Sequence, residues 1–107
     1  MTRNVLIVGA GGVAQVVAHK CAQNNDLFGD LHIASRTLSK CKMIIDSVND
    51  KDAMKTPGVF EAHQVDAMDS GAVAELIRST DATIVINVGS AFLNMTVMTA
   101  CIETGAA

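Results

Sequence analysis

Short apolar runs alternate along this chain with longer stretches in which apolar residues recur every three or four positions. The run "NVLIV" at residues 4–8 is rich in β-branched residues and is followed by glycine, which predicts a strand buried on both faces. A helix is predicted at about residues 12–24, with an apolar face formed by Val13, Val17 and Cys21 and with Ala14 and Ala18 alongside. The chain therefore begins with a strand and an amphipathic helix.

The same alternation continues to the end of the chain. "DLHIAS" at 30–35 predicts a second strand, "VFEAHQVDA" a third, and "ATIVINV" at 82–88 a central parallel strand. A helix is predicted after each strand, the third capped by Asp69 or Ser70 and the last at about 91–104. Apolar residues at helical spacing are predicted to face inward: Cys41, Ile44, Ile45, Val48; Val73, Leu76, Ile77; Val97, Met98, Cys101, Ile102.

Strands that alternate with helices predict right-handed crossovers, and hence an α/β fold with a doubly wound parallel Rossmann sheet. The ending "CIETGAA" carries Gly105 where a helix C-cap would lead into a further strand. Such sheets normally continue with two more strands. We therefore expect residues 1–107 to be one part of such a domain, truncated after the fourth strand and helix.

The first strand and the first helix are joined by a glycine turn with the spacing G-x-G-x-x-A, from Gly9 through Gly11 to Ala14. In one interpretation the glycines only turn a strand into a helix. In the other, Gly9 permits the tight turn, Gly11 lets the backbone approach a pyrophosphate, and Ala14 lets the helix pack closely on the strand. A second strand about 20 residues further on favours the phosphate-binding interpretation.

The end of the second strand distinguishes between the two dinucleotides. An acid there would accept hydrogen bonds from the ribose of NAD and repel a 2′-phosphate, whereas this chain has Ser35, Arg36 and Thr37, followed by Lys40. A hydroxyl and a permanent cation favour NADP(H) over NAD(H). The alternative is that Arg36 is simply a solvated residue before a helix.

Weaker candidates for contact with the cofactor lie at the ends of the third and fourth strands. Asp66 lies where an adenine ring would rest, and Asn87 and Gly89 lie where the nicotinamide ribose would, although Asn87 and Ser90 are equally plausible helix caps. The chain offers no nucleophile–base pair, so the catalytic residues are left unassigned. His19, His32 and His63 have no spacing that suggests a shared metal, and no metal is predicted.

Composition narrows the partners and the compartment. The net charge is -3, so the chain has no overall basic field of the kind that attracts nucleic acids or anionic lipids. The three cysteines are widely spaced in apolar patterns and are expected to be reduced. No signal peptide or run of about 18 apolar residues is present, so a cytoplasmic location is expected. The scarcity of aromatic residues also suggests that part of an enzyme pocket lies elsewhere.

Four segments carry a resemblance to a known family: "NVLIVGAGGVAQVVAHKCAQN", "HIASRTLSKC", "HQVDAMD" and "ATIVINVGSAFLNMTVMTACIETGAA". Together they resemble the N-terminal NADP-binding domain of saccharopine dehydrogenase-like proteins, most specifically the carboxynorspermidine dehydrogenase branch. The glycine turn is common to many families, whereas the second and fourth segments are more specific. The resemblance covers essentially the whole chain.

The resemblance implies an NADPH-dependent oxidoreductase of polyamine biosynthesis, active on CH–NH bonds. Aspartate β-semialdehyde and a diamine, either 1,3-diaminopropane or putrescine, would condense to an imine that NADPH reduces. It further implies that residues 1–107 are the N-terminal part of an NAD(P)-binding Rossmann domain, without the substrate and dimerisation domain. A homodimer is implied for the full-length protein, and little activity for this part alone. A lysine-pathway enzyme of the saccharopine dehydrogenase type and a non-catalytic nucleotide-sensing module are the alternatives.

The resemblance also assigns cofactor contacts by position, and no catalytic residue can be carried over. The pyrophosphate would meet the glycine turn, the 2′-phosphate the end of the second strand, and the adenine and nicotinamide the ends of the third and fourth. In that order the residues are Gly9, Gly11, Gly12 and Val13; Ser35, Arg36 and Thr37; Asp66 and Ala67; and Asn87 and Gly89.

Overall fold

Strands and helices alternate in the computed structural model, which describes residues 3–51, 54–56, 58–66 and 69–88. The predicted helix at 91–104 and its cap at Gly105 lie outside these residues. Within the described residues a 3₁₀ turn, Asn25–Leu27, interrupts the alternation. The elements are β1 Asn4–Val8, α1 Gly12–Gln23, β2 Leu31–Ser35, α2 Leu38–Asp50, β3 Phe60–Gln64, α3 Ser70–Thr80 and β4 Ala82–Asn87.

The strands form one parallel sheet in the order β3-β2-β1-β4, which confirms the predicted doubly wound α/β class. β1 pairs with both β2 and β4, and all five of its residues are buried. The prediction that β4 is central was wrong for the part of the chain that is described, where β4 pairs only with β1. An apolar run indicates burial on two faces but does not fix a strand's position in the sheet.

Alternate residues of the strands pack into two separate cores. Val5, Ile7 and Ile33 face α1 and α2, whereas Leu6 and Val8 face α3. The buried stripe of α1 consists of small residues, which lets the helix lie close to the sheet: Ala14, Ala18, Cys21 and Ala22.

Val13 was predicted to lie on the buried face of α1, and the structure contradicts this. It is 64% exposed, because Ala14 and Ala18 are the positions that turn toward the sheet. Val17 is only partly buried, while Cys21 is buried as predicted. The buried positions at the start of the helix are therefore the two predicted alanines, whereas Val13 lies at the surface beside the glycine turn.

The third helix begins and ends with defined caps. The Asp69 carboxylate accepts a hydrogen bond from the Ala72 N–H at 3.2 Å, which confirms one of the two predicted N-caps. Asp81 follows the helix in the left-handed region, at φ 55°, and so directs the chain into β4. No helix within the described ranges is long and apolar enough to cross a membrane.

Asn4 is a buried polar residue at the start of the central strand. Its side-chain N–H₂ donates to the Thr80 carbonyl at 2.9 Å, and its side-chain oxygen accepts from the Asp30 N–H at 2.8 Å. One amide thus ties β1 to the end of α3 and to the turn that precedes β2.

We expect Asn4→Ala to lower the free energy of unfolding by about 2 kcal/mol or more, because it leaves a buried carbonyl and an N–H without partners. Urea denaturation of the purified protein measures this loss. The control is Asn49→Ala, at an exposed position of α2, which should change stability by no more than about 0.5 kcal/mol. Equal unfolding midpoints for the two variants would contradict this role for Asn4.

Candidate functional site

The predicted cofactor residues meet at one edge of the sheet. In the parallel register Val8 lies beside Ala34 on one side and Asn87 on the other, and Ser35 lies beside Gln64. The carboxyl ends of all strands therefore share this edge, where open α/β sheets bind ligands. At or just after those ends lie the glycine turn, residues 35–37, Asp66 and Asn87. Two further predicted residues, Ala67 and Gly89, lie outside the described residues.

The glycines of the turn have different structural roles. Gly9 has φ 123°, a conformation that L side chains rarely adopt, and its N–H donates to the Ala34 carbonyl at 2.8 Å. A Cβ atom added at Gly11 or at Gly12 would meet nothing within 4 Å. Gly9 is thus required by the backbone, whereas the other two leave open space beside the turn.

The start of α1 fits an anion. Gly11 is its N-cap, no side chain caps the helix there, and its first turn holds no acidic residue. The N–H groups of that turn have no partners within the helix, and the helix dipole adds positive potential at this end. The turn and the open space therefore provide the features of a phosphate site.

The end of β2 is held by a compact hydroxyl network. The Ser35 hydroxyl accepts the Thr37 N–H at 3.1 Å and donates to the Thr37 carbonyl at 3.0 Å. Below it, the Cys41 thiol donates to the same hydroxyl oxygen at 3.3 Å, and burial raises the pKa of this thiol. A protonated thiol and a tight turn thus fix the backbone that presents Arg36.

Arg36 extends into solvent and lies near Asp66. The guanidinium and the carboxylate are 3.8 Å apart, and their side chains are 78% and 56% exposed. An exposed pair at that distance contributes about 0–1 kcal/mol, so exchanging it for another anion costs little. The backbone of residues 35 and 36 is held by two hydrogen bonds. The Gln64 side chain donates to the Arg36 carbonyl at 3.2 Å, and the Val65 N–H donates to the Ser35 carbonyl at 3.0 Å.

A cavity of about 360 Å³ lies between the glycine turn and α2. Gly11, Gly12 and Lys40 line it, so one ammonium group borders the open space of the turn. Most of the other lining residues were missed by the sequence analysis, although Lys40, Met43, Ile44 and Ser47 share one helical face at spacings of three and four. Once α2 was predicted, that spacing was a usable signal.

Two histidines that the sequence analysis treated as unrelated are in contact. His32 Nδ1 and His63 Nε2 are 3.0 Å apart, and the three-residue group of His32, Glu61 and His63 brings its ligand atoms within 4.8 Å of one another. Burial lowers the pKa of His32, and His63 lowers it further, against the opposing charges of Glu61 and Asp30. His19 lies elsewhere, 3.2 Å from the Ser47 hydroxyl.

The comparison with protein families gives one match over nearly the whole chain. The family described as the saccharopine dehydrogenase NADP binding domain matches residues 5–107. This confirms the predicted cofactor, NADP(H), and the predicted family resemblance.

Curated relatives have related names and are much longer. The chain is 46% identical to a carboxynorspermidine synthase of Vibrio alginolyticus over 100 residues, which are 92% of this chain and 24% of the relative. It is 40% identical to a carboxyaminopropylagmatine dehydrogenase of Synechocystis over 94% of this chain and 23% of the relative. The chain therefore spans about a quarter of the length of these relatives.

Solved structures share the fold. A saccharopine dehydrogenase (L-Glu forming) from Saccharomyces cerevisiae superposes with a TM-score of 0.72 at 24% identity, over 97% of this chain and 20% of that chain. A short-chain type dehydrogenase/reductase from Mycobacterium ulcerans gives a TM-score of 0.69 at 14% identity, over 95% and 46%. At these identities the likeness concerns the fold alone.

We expect Gly9→Ala to cost about 1–3 kcal/mol of stability, because its φ is strained for any residue with a Cβ. Gly12→Ala should be neutral or stabilise by up to about 1 kcal/mol, because the added methyl group meets open space at the start of a helix. Thermal unfolding followed by circular dichroism compares the two. Equal losses would show that the glycines of the turn are interchangeable parts of the fold.

Proposed function

This chain belongs to the family of saccharopine dehydrogenase NADP-binding domains, and from that premise we propose that it is the cofactor domain of an enzyme of polyamine biosynthesis. The proposed reaction is the reductive condensation of aspartate β-semialdehyde with 1,3-diaminopropane or putrescine. The names of the curated relatives support this choice over a lysine-pathway enzyme. The single observation that carries it is 45–46% identity to two carboxynorspermidine synthases across more than nine-tenths of this chain.

The proposed chemistry has two stages. The amine nitrogen attacks the aldehyde carbon and water leaves, which forms a C=N bond. NADPH supplies a hydride to the imine carbon, and with one proton on nitrogen the products are a secondary amine and NADP⁺. The role of this chain is to bind the dinucleotide and to orient it toward a substrate held by residues elsewhere in the protein.

In this proposal the glycine turn holds the pyrophosphate. The N–H groups at the start of α1 donate to phosphate oxygens, and Gly11 and Gly12 leave the space that the phosphates need. Gly9 sets the turn, and the exposed Val13 borders it. The first turn of α1 holds no acidic residue, so the electrostatic potential at the N-terminus of this helix stays positive.

Recognition of the 2′-phosphate is assigned to the end of β2. Ser35 and Thr37 offer hydroxyl groups, and Arg36 offers a planar cation that can bind a phosphate through two parallel hydrogen bonds. Lys40 adds a second cation from the first turn of α2. The long ion pair with Asp66 costs little to break, so Arg36 is available to turn toward the phosphate.

The remaining cofactor contacts follow from the positions of β3 and β4. Asp66, with Ala67, is assigned to the adenine side, and Asn87, with Gly89, to the nicotinamide side. Substrate residues, the catalytic acid and the dimer contacts are assigned to the part of the relatives' length that this chain does not span. A cytoplasmic location is part of the same proposal. A nucleotide sensor is less well supported, because the end of β2 has no acid for the ribose of NAD.

We expect Arg36→Gln to weaken NADPH binding by about 10- to 100-fold, because it removes charge-assisted hydrogen bonds to the 2′-phosphate. NADH has no such group, so its affinity should change by less than about threefold. Fluorescence titration with both cofactors measures the two constants. Arg78→Gln, at the far end of α3, is the matched control and should leave both unchanged. Equal loss of NADPH and NADH binding in Arg36→Gln would overturn the assignment of Arg36.

The complete protein should oxidise NADPH only when aspartate β-semialdehyde and an amine substrate are both present. Separate assays with 1,3-diaminopropane, putrescine and agmatine identify the amine, because one relative is named for an agmatine adduct. Mass spectrometry of the secondary amine confirms the product. The polyamine assignment would be refuted if the protein turned over saccharopine-pathway substrates but did not turn over aspartate β-semialdehyde with any of these amines. That result would leave the cofactor assignment intact.

A further inference from the structure

A second cluster of chemically active side chains lies away from the glycine turn. His32 lies on β2, and Glu61 and His63 lie on β3. In the register His32 pairs with Glu61, and Ala34 pairs with His63, so the three residues share one face of the sheet. We infer that His32, Glu61 and His63 form a binding site for a divalent transition metal ion, with Zn²⁺ as the best match to the donor set.

The distances are close to those that a metal ion requires. Two imidazole nitrogens at 2.0–2.1 Å from a tetrahedral zinc ion lie about 3.3 Å apart. His32 Nδ1 and His63 Nε2 are already 3.0 Å apart, and one ligand atom from each of His32, Glu61 and His63 lies within 4.8 Å of the other two. Glu61 is exposed, so its side chain can close the remaining gap without disturbing the core.

The environment of His32 also points to a ligand. The residue is 5% exposed, and its Nε2 is buried without a hydrogen-bond partner. Nε2 lies across the ring from Nδ1 and is therefore not the atom that would bind the ion; the sign of a ligand is the approach of Nδ1 to a second imidazole nitrogen.

Two nitrogen donors and one carboxylate form a ligand set that suits zinc and leaves a fourth position for water. Glu61 is exposed and His63 is partly exposed, so an ion has access from solvent. The ligands come from two neighbouring strands, and bound metal would therefore clip β3 to β2. That function is structural and independent of hydride transfer, because the site lies within the strands and not at their carboxyl ends.

The test is metal binding by the complete protein, compared with its single variants. Isothermal titration with Zn²⁺ after chelator treatment should show one more ion per chain in wild type than in His63→Gln. Co²⁺ should give the intense visible absorption of a tetrahedral site in wild type and lose it in His63→Gln. Glu61→Gln should weaken binding at least tenfold. It also provides an exposed variant that keeps the test decisive if His63→Gln fails to fold.

His19→Gln is the matched control, because His19 packs against Ser47 on α2, away from this cluster. It should retain the affinity, the stoichiometry and the Co²⁺ spectrum of wild type. Unchanged Zn²⁺ binding in both His63→Gln and Glu61→Gln would overturn the site. So would a Co²⁺ spectrum that neither His63→Gln nor Glu61→Gln alters.

Discussion

The burial of β1 is the constraint on which the rest of this domain depends. All five of its residues are buried, it pairs with β2 and β4, and Asn4 ties its start to α3 and to the turn before β2. The chain must leave this strand at Val8 and reverse into α1 within a few residues. Gly9 makes that possible, and its N–H to the Ala34 carbonyl fixes the turn against β2. The position of the sheet edge to which cofactor binding is assigned follows from this single strand.

At that edge, small side chains provide space and cationic side chains provide positive charge. Ala14 and Ala18 let α1 approach the sheet, which places the helix N-terminus directly beside the turn. Gly11 and Gly12 keep the adjoining space empty. Arg36 and Lys40 then supply positive charge from the end of β2 and the start of α2, without a buried ion pair to break. The proposed assignment gives these features one purpose, the binding of NADP(H), which is the cofactor of the matching family.

Local patterns predicted the elements well, because each strand and helix of this chain carries its own periodicity. "NVLIV" and the alanine-rich start of α1 predicted β1, α1 and the turn between them, and Asp69 was correctly predicted as a cap. Contacts across strands had no such signal. The pairing of His32 with His63, and of Arg36 with Asp66, depends on the register between β2 and β3, which no local pattern reveals. The face of Val13 was mispredicted because three-residue spacing tolerates a one-position rotation at a helix end.

The central claim is that the glycine turn serves a phosphate and not only the fold. The most direct test measures stability and NADPH affinity in the same Gly12→Ala protein. We predict wild-type or slightly higher stability, because the methyl group meets open space, together with at least tenfold weaker NADPH binding, because that space belongs to the ligand. Wild-type affinity for NADPH in a stable Gly12→Ala variant would contradict the claim.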